Sequence, residues 1–262
     1  TMRLFLSPGD AVINCPPTFG MYPFDADVNG ARVISVPRRA DFGLDIQAIE
    51  EAVAQHHPKL IFIASPNNPD GSLLPDADFE RLLALPLVVV LDEAYVEFAA
   101  PERSRIGLVP QYDNLIVLRT FSKWAGLAGL RVGYGAFPAA LVPHLWKIKQ
   151  PYNVSVAASE AAIAVLNDPD YLDVHIARMI AERERMSRLL AEIPYLRVYP
   201  SRSTFVLCQV VGRDARELRA ALEREGILVR YYSTPRLRDH IRISVGRPDQ
   251  TDMLITTLRR LA

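Results

Sequence analysis

Short apolar runs recur through the first half of the chain, at positions 11–14, 32–35, 60–64, 87–91 and 115–118. They are rich in Val, Ile and Leu, and the longer ones show no polar alternation. A strand buried on both faces reads this way, whereas a strand with one wet face alternates. Positions 131–135 predict a further strand. Between these runs, 45–55 and 76–85 carry helical spacing behind acidic starts. Strands separated by helices predict an α/β domain whose mostly parallel sheet is covered on both faces. In such sheets ligands gather at the carboxyl ends of the strands.

Beyond Pro151 the pattern changes. Positions 159–166 read as a helix and 171–193 as a long, charged, amphipathic one. Strand-like 204–208, helical 215–224, strand-like 227–230 and 241–244, and a last helix from about Asp249 complete the chain. This predicts a smaller α+β domain of roughly a hundred residues. The boundary is drawn in the Asn167-Asp168-Pro169-Asp170 stretch, giving a large domain over 1–167 and a small one over 168–262.

Composition narrows the function classes. No run of eighteen apolar residues occurs, so no membrane-spanning helix is predicted. The N-terminal apolar stretch is too short for a signal peptide, and no small-residue cleavage site follows. With 30 basic and 30 acidic residues the formal charge is zero, which gives no reason to expect a nucleic-acid or anionic-membrane partner. Cys15 and Cys208 lie far apart in apolar contexts and read as buried hydrophobes rather than a disulfide or metal pair. A reducing cytoplasm fits that usage. Among the 30 basic residues, lysine occurs only at Lys59, Lys123, Lys147 and Lys149. A lysine in an apolar, glycine-rich stretch of such a chain invites a chemical explanation.

Four motifs each follow or occupy a strand. Ser65-Pro66-Asn67-Asn68-Pro69-Asp70-Gly71 is a rigid turn whose asparagines can point into a cleft, although an ordinary turn needs no more. Asp92-Glu93-Ala94-Tyr95 puts a carboxylate at the end of a buried strand, where it must be paired. Capping of a following helix by Asp92 satisfies that demand, and so does a protonated ring nitrogen with Tyr95 nearby. Lys123 sits in Arg119-Thr120-Phe121-Ser122-Lys123-Trp124-Ala125-Gly126, with Arg131 downstream. A surface position is the ordinary fate of a lysine. A desolvated lysine instead becomes a nucleophile or base near neutral pH, and Ser122 and Arg131 both suit a phosphate. Arg230 and Arg242 fall near or within small-domain strands. In an arginine-rich chain they can be surface charges, but a guanidinium fork also matches carboxylate or phosphate.

Taken in order, these motifs resemble the fold type I aminotransferases that use pyridoxal 5'-phosphate (PLP), and in detail the histidinol-phosphate aminotransferases. The matching stretches are Cys15 to Tyr22, Ser65 to Gly71, Asp92 to Phe98, Leu118 to Tyr134, Pro151-Tyr152-Asn153-Val154 and Ile241 to Gly246, so the likeness covers essentially the whole chain. The resemblance implies that Lys123 carries PLP, that Asp92 pairs with the pyridine nitrogen, and that Asn68 and Tyr95 bond the ring's phenolic oxygen. It implies that Ser122 and Arg131 hold the cofactor phosphate and that Phe19 stacks on the ring. Arg242 is then expected to hold the substrate carboxylate or phosphate, with Arg230 assisting on the phosphate of histidinol phosphate. Asp70 departs from the threonine usual in relatives. The implied reaction moves an amino group between histidinol phosphate or imidazole-acetol phosphate and glutamate or 2-oxoglutarate, in a cytoplasmic homodimer.

The resemblance also implies that several tens of residues precede the position matching Thr1. They include a phosphate-binding glycine loop and a tyrosine that reaches the neighbouring subunit. The chain is therefore expected to be an N-terminally truncated form, with reduced prospects of activity alone. Three other readings stay open at this point: an aminotransferase for aromatic amino acids, a lyase like threonine-phosphate decarboxylase, and a non-catalytic protein of this fold that only binds or dimerises.

Overall fold

The computed structural model describes residues 1–99 and 103–262. In chain order the larger unit contains α1 (Met2–Phe5), β1 (Ala11–Asn14), α2 (Met21–Val28), β2 (Arg32–Ser35), α3 (Ile46–His56), β3 (Leu60–Ala64), α4 (Asp76–Leu83), β4 (Val88–Asp92), β5 (Leu115–Thr120), β6 (Gly133–Ala136), α5 (Val142–Ile148) and α6 (Val156–Asn167). The long helix α7 (Pro169–Ala191) leads into β7 (Leu196–Val198), β8 (Phe205–Val210), α8 (Ala215–Arg224), β9 (Arg230–Tyr231), β10 (His240–Ser244) and α9 (Pro248–Arg260). Among the described residues, no helix is long and apolar enough to cross a membrane.

The first sheet runs in the order β2-β1-β3-β4-β5-β6. Its first five strands are parallel and β6 is antiparallel to β5. The two faces explain the unbroken apolar runs. Ile13, Ile61, Ile63, Val89, Leu91, Leu115 and Val117 pack on one side with α3 and α4. Val12, Leu60, Phe62, Val90 and Ile116 pack on the other with Met2, Tyr22 and Ala26. Successive side chains alternate between two dry layers, so neither face needs polar residues. The second sheet is antiparallel, in the order β7-β8-β10-β9, with its own core against α7, α8 and α9.

Local chemistry sets the helix ends. Asp45 accepts from Ala48 N at 3.1 Å to start α3, and the helix stops at His57 in a left-handed conformation. Asp168 caps α7 with Pro169 in its first turn. The predicted strand at 227–230 shrinks to Arg230–Tyr231. Gly226 takes a positive φ and Ile227 N bonds back to Leu222 O, so Ile227 is taken up by the turn that ends α8 and residues 227–229 precede the ladder. The predicted strand at 131–135 begins at Gly133, because Arg131 adopts φ 56° after a short 3-10 turn. Helix α2 had little apolar periodicity, and Pro23 lies in its first turn, where a missing N–H costs nothing.

Arg183 and Gly71 supply two of the contacts that join the larger and smaller units. The Arg183 side chain on α7 is fully buried and donates to Phe98 O at 2.8 Å and Ser203 O at 3.2 Å. Arg183→Leu leaves two buried carbonyls without donors, so a loss of about 3 kcal/mol is expected in urea unfolding. A loss under 0.5 kcal/mol would show that this tie is dispensable. Gly71 has φ 78°, and Arg202 N donates to its carbonyl at 2.8 Å. A β-carbon on Gly71 would lie 2.8 Å from Ser201 Cβ and 3.0 Å from Ser201 Cα. Gly71→Ala therefore meets both backbone strain and a clash, and about 2 kcal/mol of destabilisation is expected by the same measurement.

Candidate active site

The carboxyl ends of β3, β4 and β5 bring three of the four motifs together in mid-sheet. Asp92 is the last residue of β4, and a short 3-10 turn at Val96–Phe98 follows instead of an α-helix. Its Oδ1 accepts from Ala94 N at 3.0 Å and its Oδ2 accepts from Tyr22 Oη at 2.7 Å. Burial pushes the Asp92 carboxyl above the usual range, while Tyr22, Ala94 N and the nearby Lys123 charge pull it back. The next residue, Glu93, is buried and structural. It accepts from Ser104 Oγ and Arg105 N, both at 2.6 Å. Arg119 on β5 donates to Glu97 at 2.6 Å, which ties the loop after β4 to the strand leading into Lys123.

Lys123 is exposed, with its Nζ 5.6 Å from the centroid of the Tyr95 ring. Burial raises the Tyr95 phenol, and Arg242 opposes that shift. Tyr95 thus remains a hydroxyl donor at neutral pH. Its ring packs edge-on against Phe205, centroids 5.3 Å apart, and the Arg242 guanidinium stands 4.5 Å from the centroid of that same Phe205 ring. Arg242 Nη1 then donates to Asn68 Oδ1 at 2.5 Å. A path of contacts therefore runs from Lys123 through Tyr95, Phe205 and Arg242 to Asn68 across the two sheets, and the Lys123 charge is felt at Asp92.

A cleft of about 750 Å³ opens beside this path, lined by Asn14, Phe19, Arg38, Asn68, Arg230, Tyr232, Arg236 and Arg242 among others. Asp92, Tyr95 and Lys123 lie outside its lining. Arg242 Nε and Arg38 Nη2 are buried without a hydrogen-bond partner, so the cleft keeps donor capacity for an anionic ligand. Arg230 pairs with Arg242 across β9 and β10, is exposed, and stands 5.5 Å over the Tyr232 ring. Phe19 is 42% exposed and meets the Tyr22 ring edge-on at 5.5 Å.

The remaining predicted residues stand further apart. Ser122 is half-buried, with its backbone N–H bonded to Thr120 Oγ1. Arg131 is exposed and its guanidinium donates to Ala128 O at 2.7 Å. Neither has a described contact with Lys123 or Asp92.

Residues without an assigned role in the sequence reading also build the site. Asn67, not its neighbour, holds the loops together: it donates to Pro17 O and Asp70 Oδ1 and accepts from Thr18 Oγ1. Asp70, the departure from threonine, also accepts from Ser72 N at 3.0 Å and so closes the turn. Tyr22 is buried, stacked on Phe62 at 5.2 Å. Phe19, just before the start of α2, meets its ring edge-on at 5.5 Å.

Asp92, Lys123 and Tyr95 fit a pyridine aldehyde. A carboxylate desolvated at a strand end suits a ring nitrogen that brings a proton. An exposed amine stands near enough to feel that carboxylate's charge, and an aromatic ring and a phenol flank the position.

The whole-chain comparisons identify the family. The family model described as "Aminotransferase class I and II" matches residues 1–258. The chain is 53% identical over 259 residues to the chloroplastic histidinol-phosphate aminotransferase of Nicotiana tabacum, covering 98% of this chain and 62% of that protein. It is 51% identical over 264 residues to the histidinol-phosphate aminotransferase of Roseiflexus castenholzii, covering 71% of it. The crystal structure of histidinol-phosphate aminotransferase from Sinorhizobium meliloti in complex with pyridoxal-5'-phosphate superposes with a TM-score of 0.89 at 32% identity, covering all of this chain and 74% of that one. The chain thus spans less than two thirds of the tobacco relative's length.

Proposed function

The chain belongs to the class I and II aminotransferases, and from that membership we propose that it carries pyridoxal 5'-phosphate on Lys123 and transfers an amino group between histidinol phosphate or imidazole-acetol phosphate and glutamate or 2-oxoglutarate, a step of histidine biosynthesis. The observation that carries this reading is the convergence of Asp92, Lys123 and Tyr95 at the carboxyl ends of two adjacent central strands. The relatives' names supply the substrate. When bound, the cofactor supplies an aldehyde for the amine and a ring that takes up the electron pair of the broken C–H bond.

The chain's residues supply the rest. Asp92 holds a proton on the ring nitrogen by remaining charged in a dry seat. Lys123 Nζ attaches the cofactor and, when released, moves a proton to and from the substrate carbon. Tyr95 Oη and Asn68 orient the ring oxygen, Phe19 covers the ring, and Ser122 and Arg131 take the phosphate. Arg242 binds the anionic group of either substrate, since one guanidinium fork matches carboxylate and phosphate alike. Arg230 adds charge for the phosphate. Residues 1–167 form the cofactor-binding unit and 168–262 the smaller one in this reading.

A homodimer is part of the same proposal. Phe24 and Val28 on α2, Trp146 on α5, and Val156 and Leu166 on α6 are all exposed apolar side chains, which a second subunit would cover. The two cysteines are free and buried, consistent with a cytoplasmic location.

The test is direct. The chain is incubated with PLP, reduced with borohydride and digested, and the modified peptide is mapped. Amino transfer to 2-oxoglutarate is then compared for histidinol phosphate and phenylalanine. Label on Lys123 and preference for histidinol phosphate are expected. Label spread over Lys59, Lys147 and Lys149 would overturn the assignment, and preference for phenylalanine would redirect the substrate.

A further inference from the structure

We propose that Tyr22 is a positioning residue whose hydroxyl keeps the Asp92 carboxylate charged and aimed at the cofactor's ring nitrogen. This rests on the cofactor reading above, although its first test does not need the cofactor. Tyr22 Oη donates to Asp92 Oδ2 at 2.7 Å, and Ala94 N holds the other oxygen at 3.0 Å. Rotation of the carboxylate would break one bond or the other, so the pair fixes its plane.

The surroundings make Tyr22 a dedicated donor. Its ring is stacked on Phe62, 5.2 Å between centroids, and the edge of Phe19 closes the other approach at 5.5 Å. Burial and the Asp92 charge hold its phenol far above the ordinary range, so it keeps its proton at any working pH. The charged and titratable groups acting on the pair are Lys123, Tyr95 and Arg38. Of these, Lys123 changes its role once it carries a cofactor, whereas the Tyr22 bond comes from α2 and does not depend on that chemistry. The same helix start therefore presents Phe19 to the ring face and Tyr22 to the acid that serves the ring nitrogen.

The experiment follows the Asp92 carboxyl carbon by NMR in protein labelled with ¹³C-aspartate, the signal being assigned by its loss in Asp92→Asn. In Tyr22→Phe, which removes only the hydroxyl, the midpoint is expected to rise by about one pH unit or more. Incorporating 3-fluorotyrosine at position 22, a stronger donor of nearly the same shape, is expected to lower it. Phe62→Leu loosens the stack but leaves the hydroxyl, and is expected to move the midpoint less than Tyr22→Phe. For PLP, Tyr22→Phe is expected to raise the dissociation constant about tenfold at pH 7, the gap closing at acid pH where Asp92 is protonated in both proteins. Unchanged midpoints in Tyr22→Phe and the fluorotyrosine protein would overturn the inference even if PLP binds. Failure of the parent chain to take up PLP would count against the cofactor reading, while the carboxyl titration would still decide the role of Tyr22.

Discussion

Lys123→Ala is expected to lower amino transfer by about three to four orders of magnitude, with the fold intact. The magnitude follows from what one atom does. In the proposed role Nζ would both attach the cofactor and carry the proton that must leave and rejoin the substrate carbon, and general acid–base groups alone contribute about 10²–10⁴-fold. The other lysines provide an internal comparison. Lys59 is bonded to Asp10 at 2.7 Å and to Phe5 O, and Lys149 stands over Trp146. Alanine at Lys59, Lys147 or Lys149 should leave the rate within about threefold, since exposed surface changes away from the site act weakly. The fold should survive Lys123→Ala because the side chain is exposed and its loss opens no cavity. Single-turnover release of 2-oxoglutarate from glutamate checks the effect. Added methylamine should restore part of the rate, because a small free amine can stand in as proton carrier. A variant as fast as the parent would remove Lys123 from the mechanism.

Lys123 stands out as a candidate in the sequence because the chain is so poor in other lysines and because an apolar strand leads directly to it. The large sheet was legible for a related reason. Side chains such as Ile13 and Val12 enter opposite dry layers, so whole strands appear as apolar runs. The smaller sheet was harder, since Ile227, Leu228 and Val229 look like a strand but lie outside the ladder, Ile227 N being bonded back to the end of α8 after the positive-φ Gly226. Long-range polar pairing was illegible. Nothing local marks Tyr22 as the partner of a carboxylate seventy residues away, or Arg183 as a donor to Phe98 O. Such pairs are set by how two layers stack, which a one-dimensional pattern does not record. The roles of Ser122 and Arg131 rest on resemblance, because their described contacts are with Thr120 and Ala128.

Arg242→Ala should lower kcat/KM by roughly 30- to 700-fold, equivalent to about 2–4 kcal/mol, and should do so for both the phosphate-bearing and the dicarboxylate substrate. Position 242 is well placed for that task. Strand β10 is paired on one side to β8 and on the other to β9, so its backbone is fixed. The guanidinium lies over Phe205, one nitrogen is committed to Asn68, and Nε is buried with no partner. A fork restrained in this way loses little freedom on binding an anion, and most of the effect should fall on KM. Arg242→Lys keeps the charge but not the planar fork, so it should recover less than tenfold of the loss. Arg230 is exposed on the edge strand, and Arg230→Ala should cost about tenfold with the phosphate substrate and little with 2-oxoglutarate. The comparison also separates binding from architecture. Asn68→Ala removes the same bridge between sheets, so any part of the Arg242 effect that comes from loosening them should appear there too. Kinetics of the three variants on both substrates decide the matter. Equal, small losses in Arg242→Ala and Asn68→Ala would make Arg242 a structural tie, whereas a large loss confined to Arg242→Ala and shared by both substrates would make it the common anion site.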